Sequence, residues 1–384
     1  MARAHALLSA SSAYRWTICT AAPRLEDTFP DSSSWAAQEG TIAHALAEYC
    51  LTPVQIDADF VDWREVPELA ILKAHCEEEG EDFEAALNDM RRHVQGYVDY
   101  VMSVPGTRFF EQRVDFSHLV PDGFGTSDAI ILDHKTAHII DLKYGKGKKI
   151  FSDGPQTKLY ALGALNDYGF IFDGVENVVL HIYQPRLDHI DVHVMTLPEL
   201  VEYGVWIKGR AELANSANGE FAAGNHCDFC RARKNCRARA DFFKAMAAGC
   251  AEPALLTPAE IAALLPNLDQ LAKWAGEVKE HALETALKGT AYPGYKLVEG
   301  RSNRRWSDEN AVVAAMKADG LADEQIYNMK LIGMTEAEKL LGKKSHVFDL
   351  AIKSPGSPTL VPLSDKRREL STANSVEDDF ADPQ

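Results

Sequence analysis

Asp128, Asp141 and Lys143 are spaced so that a hairpin would gather them on one sheet face. Thr126–Leu132 (TSDAIIL) and Ala137–Lys143 (AHIIDLK) are rich in β-formers, and the polar four-residue turn Asp133-His134-Lys135-Thr136 has a common hairpin length. Pairing Leu132 with Ala137 sets Asp128 directly opposite Asp141. Cβ atoms so placed lie roughly 5 Å apart, and like charges there repel. The flanking Ile130, Ile131, Ile139 and Ile140 would also strip water from both carboxylates. A divalent cation would resolve that conflict. Lys143, two residues beyond Asp141, projects from the same face. Two carboxylates and an ammonium group in this arrangement suit metal-assisted phosphodiester hydrolysis. Alone, Asp141 and Lys143 read more readily as a surface ion pair of little worth than as catalytic residues.

Other residues complete a pattern. Gln156 and Tyr160 share one face of a following helix, as His44 and Glu48 do in the helix opened by Gly40-Thr41-Ile42-Ala43-His44. Singly these are a hydrogen-bonded helix histidine and an amphipathic pair. In chain order they form a helix histidine, a G-x-x-D strand (Gly125 to Asp128), a D-x-K strand (Asp141 to Lys143) and a Q-x-x-x-Y helix. This set resembles the RecB-like branch of the PD-(D/E)XK nuclease superfamily over about residues 1–240. The resemblance implies that Asp128 and Asp141 bind a metal ion, with His44 and the Leu142 carbonyl completing the protein's share. Lys143 would position or help deprotonate the attacking water. Gln156 and Tyr160 would hold the DNA backbone and the site geometry. Oxygen-dominated ligation suits Mg²⁺, and the imidazole makes Mn²⁺ an alternative. Glu111, one strand earlier, is expected only as an outer carboxylate.

Cys227-Asp228-Phe229-Cys230 followed by Cys236 gives C-x2-C-x5-C, and Cys19 is the natural fourth thiol. Zn²⁺ on these thiolates, or no metal at all, are open alternatives from spacing alone. His226 is weighed as a substitute zinc ligand. The arrangement is similar to that of iron–sulfur exonucleases, the AddB nuclease domain and the CRISPR-associated adaptation nucleases, and to a phage and prophage family of unassigned function. That resemblance implies a [4Fe–4S] cluster on Cys19, Cys227, Cys230 and Cys236, a structural tie closing a long loop. Cys50, Cys76 and Cys250 read as small apolar residues. Arg231, Arg233, Lys234, Arg237 and Arg239 would bind phosphates or form a basic helix face.

These motifs need a scaffold, and the chain is long enough to supply one. Its 384 residues are 46% hydrophobic, with 40 basic against 57 acidic side chains and a net charge of −17. That charge argues against a protein that coats nucleic acid, though a local basic groove remains open to a nuclease. No signal peptide and no membrane span are expected, and an odd cysteine count points to metal ligation in a reducing cytoplasm. Gly145-Lys146-Gly147-Lys148-Lys149 lacks the spacing of a phosphate loop and reads as a basic lip or a solvated turn.

Helices are expected at Ala36–Leu51, within a helical region Val66–Val104, and at Pro155–Tyr168, Leu197–Asn215, Thr257–Leu287 and Glu309–Lys317. Strands are expected at Arg108–Phe116, Thr126–Leu132, Ala137–Tyr144, Asn177–Gln184 and Ile190–Met195, with a β-like piece at Gly294–Glu299. The fold class is α/β, a restriction-endonuclease-like core with a mixed central sheet flanked by helices. Residues 1–250 would form the nuclease domain, 251–352 a helical extension and 353–384 an extended or disordered acidic tail. Gly300–Trp306 mixes cations with an aromatic and would track single-stranded DNA or form a charged turn.

The function expected is a metal-dependent DNA exonuclease in phage or prophage recombination, replication or end processing. Its partners would be DNA ends and a recombination or single-strand-binding protein. The rivals are a non-catalytic scaffold that keeps the fold and a zinc-stapled interaction module.

Overall fold

The computed structural model describes residues 6–30, 34–52, 63–169, 174–248, 256–298 and 309–318, with isolated positions up to 350. The chain divides into two compact units, Met1–Leu297 and Val298–Gln384. The long helix near residue 258 therefore groups with the sheet rather than with a separate extension starting at 251. The Gly300–Trp306 stretch, Cys250 and the acidic tail lie outside the described residues.

Helix α1 (Trp35–Leu51) starts at Ser34, whose hydroxyl accepts the Ala37 N–H. Helix α2 (Leu69–Glu79) stops at Gly80, which takes φ 71°, a conformation costly for any residue with a Cβ. Asp82 then caps α3 (Phe83–Ser103) by accepting the Ala85 N–H at 2.7 Å. The helical region expected over Val66–Val104 is thus two helices broken at a glycine.

Strands β1 (Thr107–Asp115), β2 (Phe124–Asp133) and β3 (Thr136–Leu142) form an antiparallel meander. Helix α4 (Pro155–Tyr168) crosses over to β4 (Asn177–Gln184), which runs parallel to β3, and β5 (His189–Thr196) returns antiparallel to β4. The strands lie in sequence order, giving one mixed five-stranded sheet. The expected α/β class, a mixed sheet flanked by helices, is what the chain adopts.

Helix α5 (Leu197–Asn215) opens with a reciprocal capping box between Thr196 and Glu199. Helices α6 (Arg237–Ala248) and α7 (Pro258–Leu287) follow, α7 with the same device at Thr257 and Glu260. The second unit contains α8 (Glu309–Ala318). No strand forms over residues 294–298.

Central strands covered on both faces read as continuous apolar runs, and β2 and β3 show this. Ile130 and Ile139 face a core built with Trp16, Leu159 and Leu200, whereas Ile131 and Ile140 face one built with Ile42, Leu46 and Val94. All four isoleucines are fully buried, each stabilising the fold by roughly 1.5–3 kcal/mol. The hairpin that carries the acidic residues is therefore clamped between α4 and α5 on one side and α1 to α3 on the other.

Candidate metal centre and cysteine pocket

The β2–β3 register pairs Leu132 with Ala137 and Ala129 with Ile140. One step further sets Asp128 opposite Asp141, as the hairpin argument expected. The turn is shorter than expected, because Asp133 and Thr136 themselves pair. Both aspartates are buried, at 7% and 1% exposure.

Their charges are answered differently from the expectation, and this corrects the opening argument. His44 Nδ1 stands 3.3 Å from Asp128 Oδ1, and Lys143 Nζ stands 2.6 Å from Asp141 Oδ2. Each acid has its own protein cation, so a bound ion is not required to make the pair tolerable. The Leu142 N–H donates to Asp128 Oδ2 at 2.7 Å. Burial opposes ionisation of Asp128, yet His44, Lys143 and that N–H together hold its carboxyl below the ordinary range. Burial pushes Asp141 upward, against the pull of Lys143 and with the push of Asp128.

Glu111 moves from the periphery to the centre. Phe110 pairs with Ala129 and Gln112 with Ser127, so Glu111 falls beside Asp128, at φ 47°. A left-handed glutamate costs on the order of 1–2 kcal/mol, and such strain clusters at functional sites. One donor atom each from His44, Glu111 and Asp128 lies within 4.8 Å of the others. That spacing approaches what one shared cation needs, since ligand bonds of about 2.0–2.2 Å put donors up to roughly 4.4 Å apart. Asp141, expected in the ligand set, stands outside this trio, engaged by Lys143 and Gln156.

Burial and the neighbouring Asp128 charge raise Glu111 to about 8. Burial would lower His44, but the charge and hydrogen bond of Asp128 outweigh it and hold the imidazolium up to about 9. Without an ion, these two ligands keep their protons at neutral pH.

Gln156 Nε2 donates to Asp141 Oδ1 at 3.1 Å and to the Tyr160 hydroxyl at 3.0 Å. The Q-x-x-x-Y pair thus props the aspartate from α4. The tyrosine also explains the glycine of the G-x-x-D strand: a Cβ on Gly125 would meet Tyr160 Cε1 at 2.7 Å. Tyr97 had no sequence signal. Its fully buried hydroxyl has no hydrogen-bond partner, and burial, Asp128, Asp141 and Glu111 all oppose its ionisation. Asp141 Oδ2, by contrast, is answered by Lys143. An unsatisfied buried hydroxyl beside these carboxylates fits a hydrated cation, which brings waters with it.

Cys19, Cys227 and Cys230 are buried, Cys236 is partly buried, and none is in a disulfide. All four line one cavity together with Arg15, Arg233 and Arg239. Backbone ties draw the distant segments together: Ala21 N–H donates to Glu220 O at 3.1 Å and Arg210 Nε to Thr17 O at 2.7 Å. Arg231 N–H donates to Glu26, which also pairs with Arg15. Burial and the Glu26 charge push the Cys230 thiol up to about 12, so a thiolate there needs a positive partner.

Arg239, 1% exposed, donates to Glu277 and sets Nη2 3.6 Å from Asp228 Oδ1, which leaves Nε without an acceptor. Buried guanidinium N–H groups beside thiols fit an anionic, thiolate-ligated centre. His226 is committed to the Ala222 carbonyl at 2.8 Å rather than offered to a metal.

Three of the basic residues here act as staples. Arg233 and Arg239 pair with Glu277 and Lys234 with Glu280 and Glu284, fixing α7 to the cysteine segment. From the glycine-lysine loop, Lys148 reaches Asp228 at 2.7 Å, so that loop is tied to the cysteine pocket. No helix among the described residues is long and apolar enough to cross a membrane. Over residues 5–368 the chain matches the family described as "Protein of unknown function (DUF2800)", and it belongs to that family.

Proposed function

We propose that this protein is a metal-dependent DNA exonuclease of the RecB-like PD-(D/E)XK type, acting in phage or prophage recombination, replication or end processing. One observation carries the reading: His44, Glu111, Asp128, Asp141, Lys143, Gln156 and Tyr160 converge on one end of a clamped hairpin. Ordinary packing would not gather so many ionisable groups.

His44, Glu111 and Asp128 would hold Mg²⁺ or Mn²⁺, with Asp141 and the Leu142 carbonyl as further donors. When bound, the ion would lower the pKa of a water molecule and stabilise the leaving oxyanion. Lys143, held by Asp141, would orient the attacking water and offset charge on the phosphate. Gln156 and Tyr160 keep Asp141 in place. The exposed Lys146 and Lys149 would guide the DNA strand in a cytoplasmic setting.

Cys19, Cys227, Cys230 and Cys236 would hold a [4Fe–4S] cluster that ties the two ends of the nuclease core. The reading is supported by the four cysteines lining one cavity beside Arg15, Arg233 and Arg239, whose positive charge suits a thiolate-ligated centre.

The test is anaerobic purification, iron and zinc analysis, and digestion of end-labelled single and double strands with Mg²⁺ or Mn²⁺. Loss of label that vanishes in Asp141→Ala supports the reading. No loss of label under any condition sinks it. That outcome would favour a DNA-binding scaffold, a reading supported by the internal pairing of both aspartates.

A further inference from the structure

The two edges of the sheet are built differently. At one edge, β1 is distorted at Glu111 and its Arg108 folds back to the Met102 and Val104 carbonyls at the end of α3. Strain and charge of this kind discourage a further strand from adding. At the other edge, β5 pairs with β4 without interruption from His189 to Thr196, and no described strand lies beyond it. It contains no lysine, proline or glycine. Ile190, Val192 and Val194 are 49%, 49% and 60% exposed, all on one face of this strand.

We propose that β5 is a self-association edge, on which two copies of this chain pair their β5 strands antiparallel about a two-fold axis through Val192. The pattern of the strand selects that centre. Antiparallel pairing about Val192 sets Ile190 opposite Val194 of the second copy, Val192 opposite its own counterpart, and Val194 opposite Ile190. All three apolar residues are then matched on one face. An axis one residue away leaves an apolar side chain overhanging. An axis between residues sets apolar side chains beside polar ones.

Charge agrees with the same register without having been used to choose it. On the other face, Asp191 falls opposite His193 of the second copy, and His193 opposite Asp191. Asp191 is already held by the Ser152 N–H and hydroxyl, both at 2.7 Å to Oδ2, which leaves Oδ1 for a cross-copy partner. Self-complementarity is what a two-fold interface requires, and an uninterrupted open edge supplies the backbone donors and acceptors for it.

Sedimentation velocity on the full chain is expected to give a dimer. Val192→Lys would set two ammonium groups face to face at the axis and should yield a monomer with an unchanged far-UV CD spectrum. Leu287→Lys, at a residue 70% exposed on α7, should leave the dimer intact. Val192→Cys should cross-link to itself under mild oxidation beyond any background of the parent, because directly opposed Cβ atoms lie about 4.5–5.5 Å apart. A parent that is monomeric at every concentration overturns the proposal and leaves the edge to a different polypeptide. So does a dimer that survives Val192→Lys, or one that Val192→Cys fails to trap.

Discussion

The candidate metal centre and the cysteine pocket solve opposite assembly problems. The centre is drawn largely from one hairpin and its neighbours, and its ions are already paired, His44 with Asp128 and Lys143 with Asp141. The pocket joins Cys19 to a segment some two hundred residues away and leaves the buried Arg239 Nε without an acceptor. A centre that is neutralised internally keeps its shape whether or not an ion is present. A pocket lined with thiols and an unpaired donor depends on whatever fills it. On the proposed function, loss of the ion should therefore cost activity, and loss of the cluster should cost the fold.

The sharpest way to break that contrast is Asp141→Asn. Activity on end-labelled DNA should fall about a thousandfold or more, the scale of removing a group that acts on developing charge, while the urea midpoint barely moves. A large drop in stability would mean that the hairpin leans on this acid as heavily as the pocket leans on its filling.

Cys19→Ser is the counterpart. Iron content should collapse and stability should drop by about 5 kcal/mol, the scale of opening a loop of this length. Cys76→Ser, at a buried cysteine away from the pocket, should retain its iron. Equal iron loss in both would remove the pocket from the argument.

A third measurement separates the sheet's own stability from both sites. His181 is buried between β3 and α3, bonded to the Tyr100 hydroxyl at 2.8 Å and to His138 at 3.0 Å. Burial first, and His138 second, lower it to about 4. The unfolded chain takes up this proton near pH 6.5 and the native state only near 4. Its contribution is therefore whole above pH 6.5 and is lost as pH falls towards 4. At roughly 1.4 kcal/mol per pH unit that amounts to about 3 kcal/mol. Urea unfolding at pH 7.5 and 4.5 should show a pH dependence that His181→Gln flattens by that amount.

The smallest effect tests how rigid the centre is. Gly125→Ala puts a methyl group on the Tyr160 ring, and overpacking of this kind costs about 1–3 kcal/mol. Activity should fall with stability, because Tyr160 shifts and takes Gln156 with it. Unchanged activity would mean that Gln156 and Tyr160 do not position Asp141.

Local chemistry explains what could be read from the chain alone. Pro155 after Asp153-Gly154 and the Thr196–Glu199 box announce α4 and α5, and both helices span the residues expected. The β2–β3 register was legible because a short turn between two runs of β-formers leaves little freedom in pairing. The split at Gly80 escaped because an apolar helical pattern continues on both sides of it. Glu111 escaped for a different reason. Its place beside Asp128 depends on the long connection between β1 and β2 and on a left-handed φ that no sequence pattern announces.

By itself the sequence determined the hairpin that opposes Asp128 to Asp141 and the helices that flank it, because these follow from short-range periodicity, capping and turn chemistry. Tertiary structure alone decided which charges neutralise which, and that Glu111 rather than Asp141 joins His44 and Asp128. Those outcomes depend on distances between segments far apart in the chain, set by packing both faces of one sheet.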